Sequence, residues 1–216
     1  MNIRTSKQWL EVGGLSSPSK MPCYSYSIPA VNCISGSKLA AIKGSVCSNC
    51  YARKGRYLFG NVKKALASRL KSITSENWVD NMVFLIKNSG YQFFRWHDSG
   101  DLQGAWHLDK IVDIARKCPS VKFWMPTKEL TMISQWKKNN GEFPKNLCVR
   151  ISAPMKESQV SNKIGPSSMV IKDINSPKLQ NMRPVTVCPA ASTHGKCGEC
   201  RACWDREVDC IAYPEH

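Results

Sequence analysis

The stretch from Gln92 to Lys128, QFFRWHDSGDLQGAWHLDKIVDIARKCPSVKFWMPTK, decides the fold. It opens on an apolar run, Phe93-Phe94-Arg95-Trp96, and breaks into the polar group His97-Asp98-Ser99-Gly100-Asp101. Leu108, Ile111, Val112 and Ala115 then recur at helical spacing, and Val121-Lys122-Phe123-Trp124-Met125 forms a second apolar run that stops at Pro126-Thr127-Lys128. Strand, helix and strand in this order make a β-α-β unit, whose right-handed crossover leaves the two strands parallel. The polar residues then fall at the strands' C-terminal ends, where such sheets place their sites.

The same alternation extends on both sides. Downstream, residues 129–138 read as a helix, 146–153 as a strand and 169–171 as a further strand. Upstream, residues 21–30 form a short strand bounded by prolines, 61–72 a helix with Val62, Ala65, Leu66 and Leu70 on one side, and a second helix opens at Ser75. We therefore expect an α/β protein whose mainly parallel sheet forms a partial (β/α) barrel. Residues 1–20 read as an irregular arm, 21–172 as the partial barrel and 173–216 as a cysteine-rich metal-binding tail, too short to fold alone without a metal.

The chain has 216 residues, 42% of them apolar, enough for an ordinary core. It contains no apolar run near the roughly 20 residues of a membrane helix and no signal-peptide core, so a cytoplasmic location is expected. Thirty-one Lys and Arg against 16 Asp and Glu give a net charge of +15, which points to nucleic acid or an anionic nucleotide as partner. Between Ser35 and Ser75 there are nine cations and no acid, and Lys63, Lys64 and Lys71 sit on the helix there. A solvated helix face is the plain alternative.

Eleven cysteines without an export signal favour metal ligation over disulfides. Cys188, Cys197, Cys200 and Cys203, in a C-x8-C-x2-C-x2-C array, resemble iron–sulfur ligands, with a zinc knuckle as the alternative and Cys210 as an extra candidate. Cys33, Cys47 and Cys50 form a second group; three thiolates leave one iron of a cluster open, whereas a closed zinc site would take a fourth ligand such as Cys23. Arg53, Lys54 and Arg56 beside it are expected to lower the thiol pKa values. His97, Asp98 and Asp101 are the candidate catalytic groups, although Asp101 could equally cap the next helix.

The order of a three-cysteine loop ending Cys47-x2-Cys50-Tyr51, a strand ending Asp98-Ser99-Gly100-Asp101, one ending Thr127-Lys128 and one ending Arg150-Ile151-Ser152 resembles a radical S-adenosylmethionine (SAM) enzyme. That resemblance implies a four-iron cluster (4Fe-4S) on Cys33, Cys47 and Cys50, with SAM chelating its open iron. It further implies SAM contacts from Ser99, Gly100 and Asp101 and from Arg150 and Ser152, and an auxiliary cluster in the tail. With four or five strands instead of six, the chain would be a reduced relative. More closely, Lys20-Met21-Pro22, Cys50-Tyr51-Ala52-Arg53-Lys54-Gly55-Arg56-Tyr57, Phe94 to Leu102 and Gly195-Lys196-Cys197-Gly198-x-Cys200-Arg201-x-Cys203-Trp204 resemble the bacteriophage gene-product eighty-eight family. This likeness implies a protein of an infected cell's cytoplasm.

Overall fold

The computed structural model describes residues 2–172 and 174–215; positions 1, 173 and 216, which open or close the predicted segments, lie outside the described residues. In chain order the elements are α1 (Lys7–Glu11), β1 (Ser25–Tyr26), α2 (Ile34–Leu39), α3 (Gly60–Ser72), α4 (Trp78–Lys87), β2 (Phe93–Trp96), α5 (Ala105–Lys117), β3 (Lys122–Thr127), α6 (Leu130–Asn140), β4 (Leu147–Ser152), β5 (Ser167–Ile171), β6 (Thr186–Val187) and β7 (Cys210–Pro214), with short 3-10 turns between them. All ladders of the seven-stranded sheet are parallel, in the order β1-β2-β3-β4-β5-β7-β6. The α/β class and the parallel sheet are as expected. The sheet is open among the described residues, with β1 and β6 at its edges, so no closed barrel is formed.

Five strands in sequence order, each crossover stepping the same way, place right-handed connections on one face. That face carries Phe94, Trp96, Phe123, Met125, Leu147, Val149 and Ile151 against Met82, Leu85 and Ile86 of α4, Leu108 and Ile111 of α5 and Ile133 and Trp136 of α6. Phe93 and Trp124 alternate to the opposite face, where they pack with Cys23, Cys203, Trp204 and Ile211. Both faces are thus covered, which is why these strands read as continuous apolar runs.

The C-terminal segment supplies that second cover. β7 pairs with β5 on one side and β6 on the other, so the segment is woven into the sheet and is no appended module. Trp204 Nε1 donates to the Phe94 carbonyl at 2.9 Å, and its ring meets Phe93 and Trp124 edge-on at 5.4 and 5.3 Å. The N-terminal residues are also more than an irregular arm: Ile3, Val12 and Leu15 are buried in the main core, and α1 packs on α4.

Candidate functional site

The crossover from β1 to β2 carries Cys33, Cys47 and Cys50, and it lies across the sheet's C-terminal edge, tied to one strand end after another. Tyr57 OH donates to Asp98 Oδ2 at 2.9 Å beyond β2, and Tyr51 OH donates to the Asp98 carbonyl. Ser35 donates through its amide and hydroxyl to the two oxygens of Glu129, at 2.9 and 2.8 Å, beyond β3. Val46 N donates to the Pro154 carbonyl at 2.9 Å beyond β4. These anchors bring the first cysteine group over the strand ends, where a parallel sheet places its chemistry.

Gly36 shows how tightly the thiols converge. A Cβ built on it would stand 2.9 Å from Cys33 Cβ, 3.5 Å from Cys33 Sγ and 3.6 Å from Cys47 Sγ, so the two sulfurs flank a point that only glycine leaves free. Cys33, Cys47 and Cys50 interact electrostatically with one another, and the first two also with Asp101. Burial pushes the Cys33 thiol up to about 12, reinforced by Asp101 and by the neighbouring thiols. Burial also raises Cys47, against which Lys128 and Arg53 act. The expected lowering by the adjacent cations is therefore outweighed by desolvation.

Asp101 is buried and accepts from Thr127 Oγ1 at 2.6 Å, Leu102 N at 2.8 Å and Lys128 N at 2.9 Å. It thereby clamps the ends of β2 and β3 together. Burial raises its carboxyl to about 6 in spite of those three bonds. Ser99 gives its hydroxyl to the Ile28 carbonyl at 2.9 Å, and Gly100, at φ +84°, is pressed so closely on Ile28 that a Cβ would meet its carbonyl at 2.8 Å. Both residues therefore hold β1's end to β2's end, and the Ser99 hydroxyl is spent there.

Three other predicted site residues make their contacts within the fold itself. His97, at φ +54°, is buried with its ring 5.5 Å from that of His107, and neither of its nitrogens has a partner among the described residues. Burial, then His107, lowers its pKa, which favours the neutral imidazole. Arg150 is fully buried and donates to the carbonyls of Ser167, Val208, Ala202 and Asp205 at 2.8–3.2 Å. It fastens the C-terminal segment to the sheet. Ser152, beside it on β4, accepts from Ser168 Oγ at 3.3 Å.

Cys23, Cys188, Cys197, Cys200 and Cys203 form a second gathering on the sheet's far face. Cys188, Cys197 and Cys200 interact electrostatically with one another, and Cys203 with Cys188. Cys23 joins this group through Cys197 and does not complete the first group as a fourth ligand; Cys197 N donates to the Lys20 carbonyl at 2.9 Å, which carries the segment to Cys23. Cys210 is set apart, buried with Met169 and Ala212. Burial pushes Cys23 and Cys203 up to about 12. Among the described residues no three or more Cys, His, Asp or Glu side chains, in the tail or in the first cysteine group, are grouped as a ready site for a single metal ion.

Two cations stand beside these thiols. Arg95 lies 4.3 Å over the Trp124 ring, donates to Met21 Sδ at 3.4 Å and has a buried Nε without a partner. It interacts with Cys23, Cys197 and Cys203, and Arg150 interacts with Cys148 and Cys203. Neither guanidinium forms an ion pair with a carboxylate among the described residues. Gly36 and Glu129 were not among the predicted site residues; only Glu129, a carboxylate next to a strand end, carries a visible signal in the sequence.

No helix among the described residues is long and apolar enough to cross a membrane. No curated protein and no solved structure matches the chain. The family model described as gene product 88 matches residues 2–206, and the chain belongs to that family.

Proposed function

We propose that this is an iron–sulfur protein of radical SAM type, in which Cys33, Cys47 and Cys50 hold a site-differentiated cluster over the C-terminal edge of the sheet. The observation that carries the reading is the convergence of Cys33 and Cys47 on the space left by Gly36, beside Cys50 and the Asp101 clamp. Thiolates sharing one zinc stand about 3.8 Å apart, given Zn–S bonds of about 2.3 Å in a tetrahedron. A four-iron cluster spreads its ligands around a wider body of iron and sulfide, which suits neighbouring thiols that form no ready site for a single ion.

The second group, Cys188, Cys197, Cys200 and Cys203 with Cys23 alongside, is the candidate auxiliary cluster. Its support is electrostatic: Arg95 and Arg150 put positive charge among buried thiols, and an anionic thiolate cluster would add to the counter-charge that Arg95 draws from Asp98. A cluster held by Cys33, Cys47 and Cys50 would supply the single electron for reductive cleavage of SAM to methionine and, with a hydrogen taken from the substrate, 5′-deoxyadenosine. In this scheme Asp101 positions the β2 and β3 ends, Lys128 offers an ammonium near Cys47 for a carboxylate or phosphate, and the tyrosine pair fixes the loop. An anionic nucleotide or nucleic acid in the cytosol of a phage-infected cell is the substrate class that the +15 charge favours.

The test is anaerobic purification with iron, sulfide and zinc analysis. Wild-type protein should take up iron and sulfide. Cys47→Ser should lose one cluster's complement, and Gly36→Leu should lose the same complement although every thiol is retained. Ligation takes thiolates, and burial raises the Cys33 and Cys47 thiols, so loading should release protons and improve as pH rises from 7 to 9. Stoichiometric zinc without sulfide would instead favour a metal-stabilised binding protein.

A further inference from the structure

The surface around the first cysteine group is both cationic and apolar. Val31, Ile34, Ile42, Tyr51, Leu58 and Phe59 are exposed large hydrophobics, all within one thirty-residue span of the cysteine loop. Lys38, Lys43, Lys54, Arg56, Lys63 and Lys64 are exposed between or beside them, and no acid occurs from Ser35 to Ser75. The loop is one connected body: Arg53 donates to the Ala30 carbonyl and to Ser37 Oγ, Ser37 Oγ donates to the Val31 carbonyl, and the Tyr51 and Tyr57 rings meet at 5.9 Å. Phe59 is 58% exposed at the N-terminus of α3, with Lys63 and Lys64 in the following turn. Not every cation of the run is free, since Arg69 is buried on the Gly13 and Gly14 carbonyls and Ser16. Lys71 lies two turns further along, beside Glu11.

We infer that this rim docks single-stranded nucleic acid, with phosphates on Lys54, Arg56, Lys63 and Lys64 and bases stacked on Phe59 and Tyr51. Charge alone would suit any polyanion. Open aromatic and aliphatic side chains among the cations suit a strand whose bases are unpaired and can leave the solvent, whereas a duplex keeps its bases stacked inside. The rim belongs to the same crossover as the thiols of the proposed cluster, so this inference names the substrate class of that same site and rests on that reading for its catalytic meaning. The binding itself needs no cluster.

Full-length protein, with and without iron loading, is titrated with a labelled 20-nucleotide single strand and with a duplex of equal length over a range of salt. The single strand should bind more tightly than the duplex. Lys63→Gln with Lys64→Gln should flatten the log–log salt slope by roughly 0.7 for each phosphate that is left without its cation. Phe59→Ala should weaken binding roughly tenfold and leave the salt slope unchanged, because a stacked base is worth about 1–3 kcal/mol. All three side chains are exposed, so the variants should keep wild-type melting temperatures. A preference for duplex, or affinity indifferent to Phe59→Ala, would overturn the inference. If the strand binds equally to iron-free protein while SAM is never cleaved, the inference stands and the proposed reaction fails; the converse result separates them the other way.

Discussion

Trp204→Ala should destabilise the protein by about 3–5 kcal/mol, the usual cost of deleting a buried aromatic. The side chain is 4% exposed, sits between Phe93 and Trp124, and donates to the Phe94 carbonyl. At 216 residues this corresponds to a fall in melting temperature of roughly 6–20 °C. Trp204→Phe should recover most of the packing and lose only about 1–3 kcal/mol for the unsatisfied carbonyl. Since Trp204 follows Cys203 directly, the Ala variant should also lose metal from the second cysteine group while the first keeps its share. Thermal unfolding with metal analysis decides the matter. A melting temperature within about 2 °C of wild type would mean that the C-terminal segment does not cover the sheet as described.

Asp101→Ala leaves two backbone N–H groups and a threonine hydroxyl without their acceptor in a buried place, at about 1–3 kcal/mol each. A loss of about 3 kcal/mol or more is expected, with the β3-to-α6 turn loosened near Cys47. The pH dependence has a definite sign. With its pKa raised to about 6 from an ordinary 3.8, Asp101 binds more protons in the folded chain than in the unfolded one over that interval. Its contribution to stability therefore falls as pH rises from about 4 to about 6, by no more than about 3 kcal/mol. Urea unfolding of wild type and Asp101→Asn at several pH values isolates it: the wild type's advantage should shrink across this window. An advantage that grew with pH would show a carboxylate stabilised by its donors, with a lowered pKa.

The central strands were legible because each is buried on both sides; Phe93-Phe94 and Phe123-Trp124-Met125 leave no polar face to confuse with a helix. β1 was drawn too long, since only Ser25 and Tyr26 pair with β2 while the prolines keep the flanking residues outside the ladder. β7 went unseen because Cys210-Ile211-Ala212-Tyr213-Pro214 ends in proline and follows a segment whose cysteines suggested a separate module. The first cysteine group could be read from its position after a strand, but its neighbours could not. Which distant carboxylate, Asp98 or Glu129, ties down the loop depends on the sheet's order. Arg150 looked like a strand-end ligand because a cation is costly to bury; four backbone carbonyls offset that cost here. Sequence order offers Cys23 only as the fourth ligand of a closed zinc site with the first group, whereas the fold returns Cys197 to its side.

The measurement that bears most directly on the central claim is the paramagnetic spectrum of the anaerobically reconstituted, reduced protein with and without SAM. A cluster held by Cys33, Cys47 and Cys50 has an iron without a protein ligand. SAM should therefore shift its signal, 5′-deoxyadenosine should be released, and both effects should vanish in Cys50→Ser. A signal that SAM leaves unchanged, with no 5′-deoxyadenosine formed, would contradict the account.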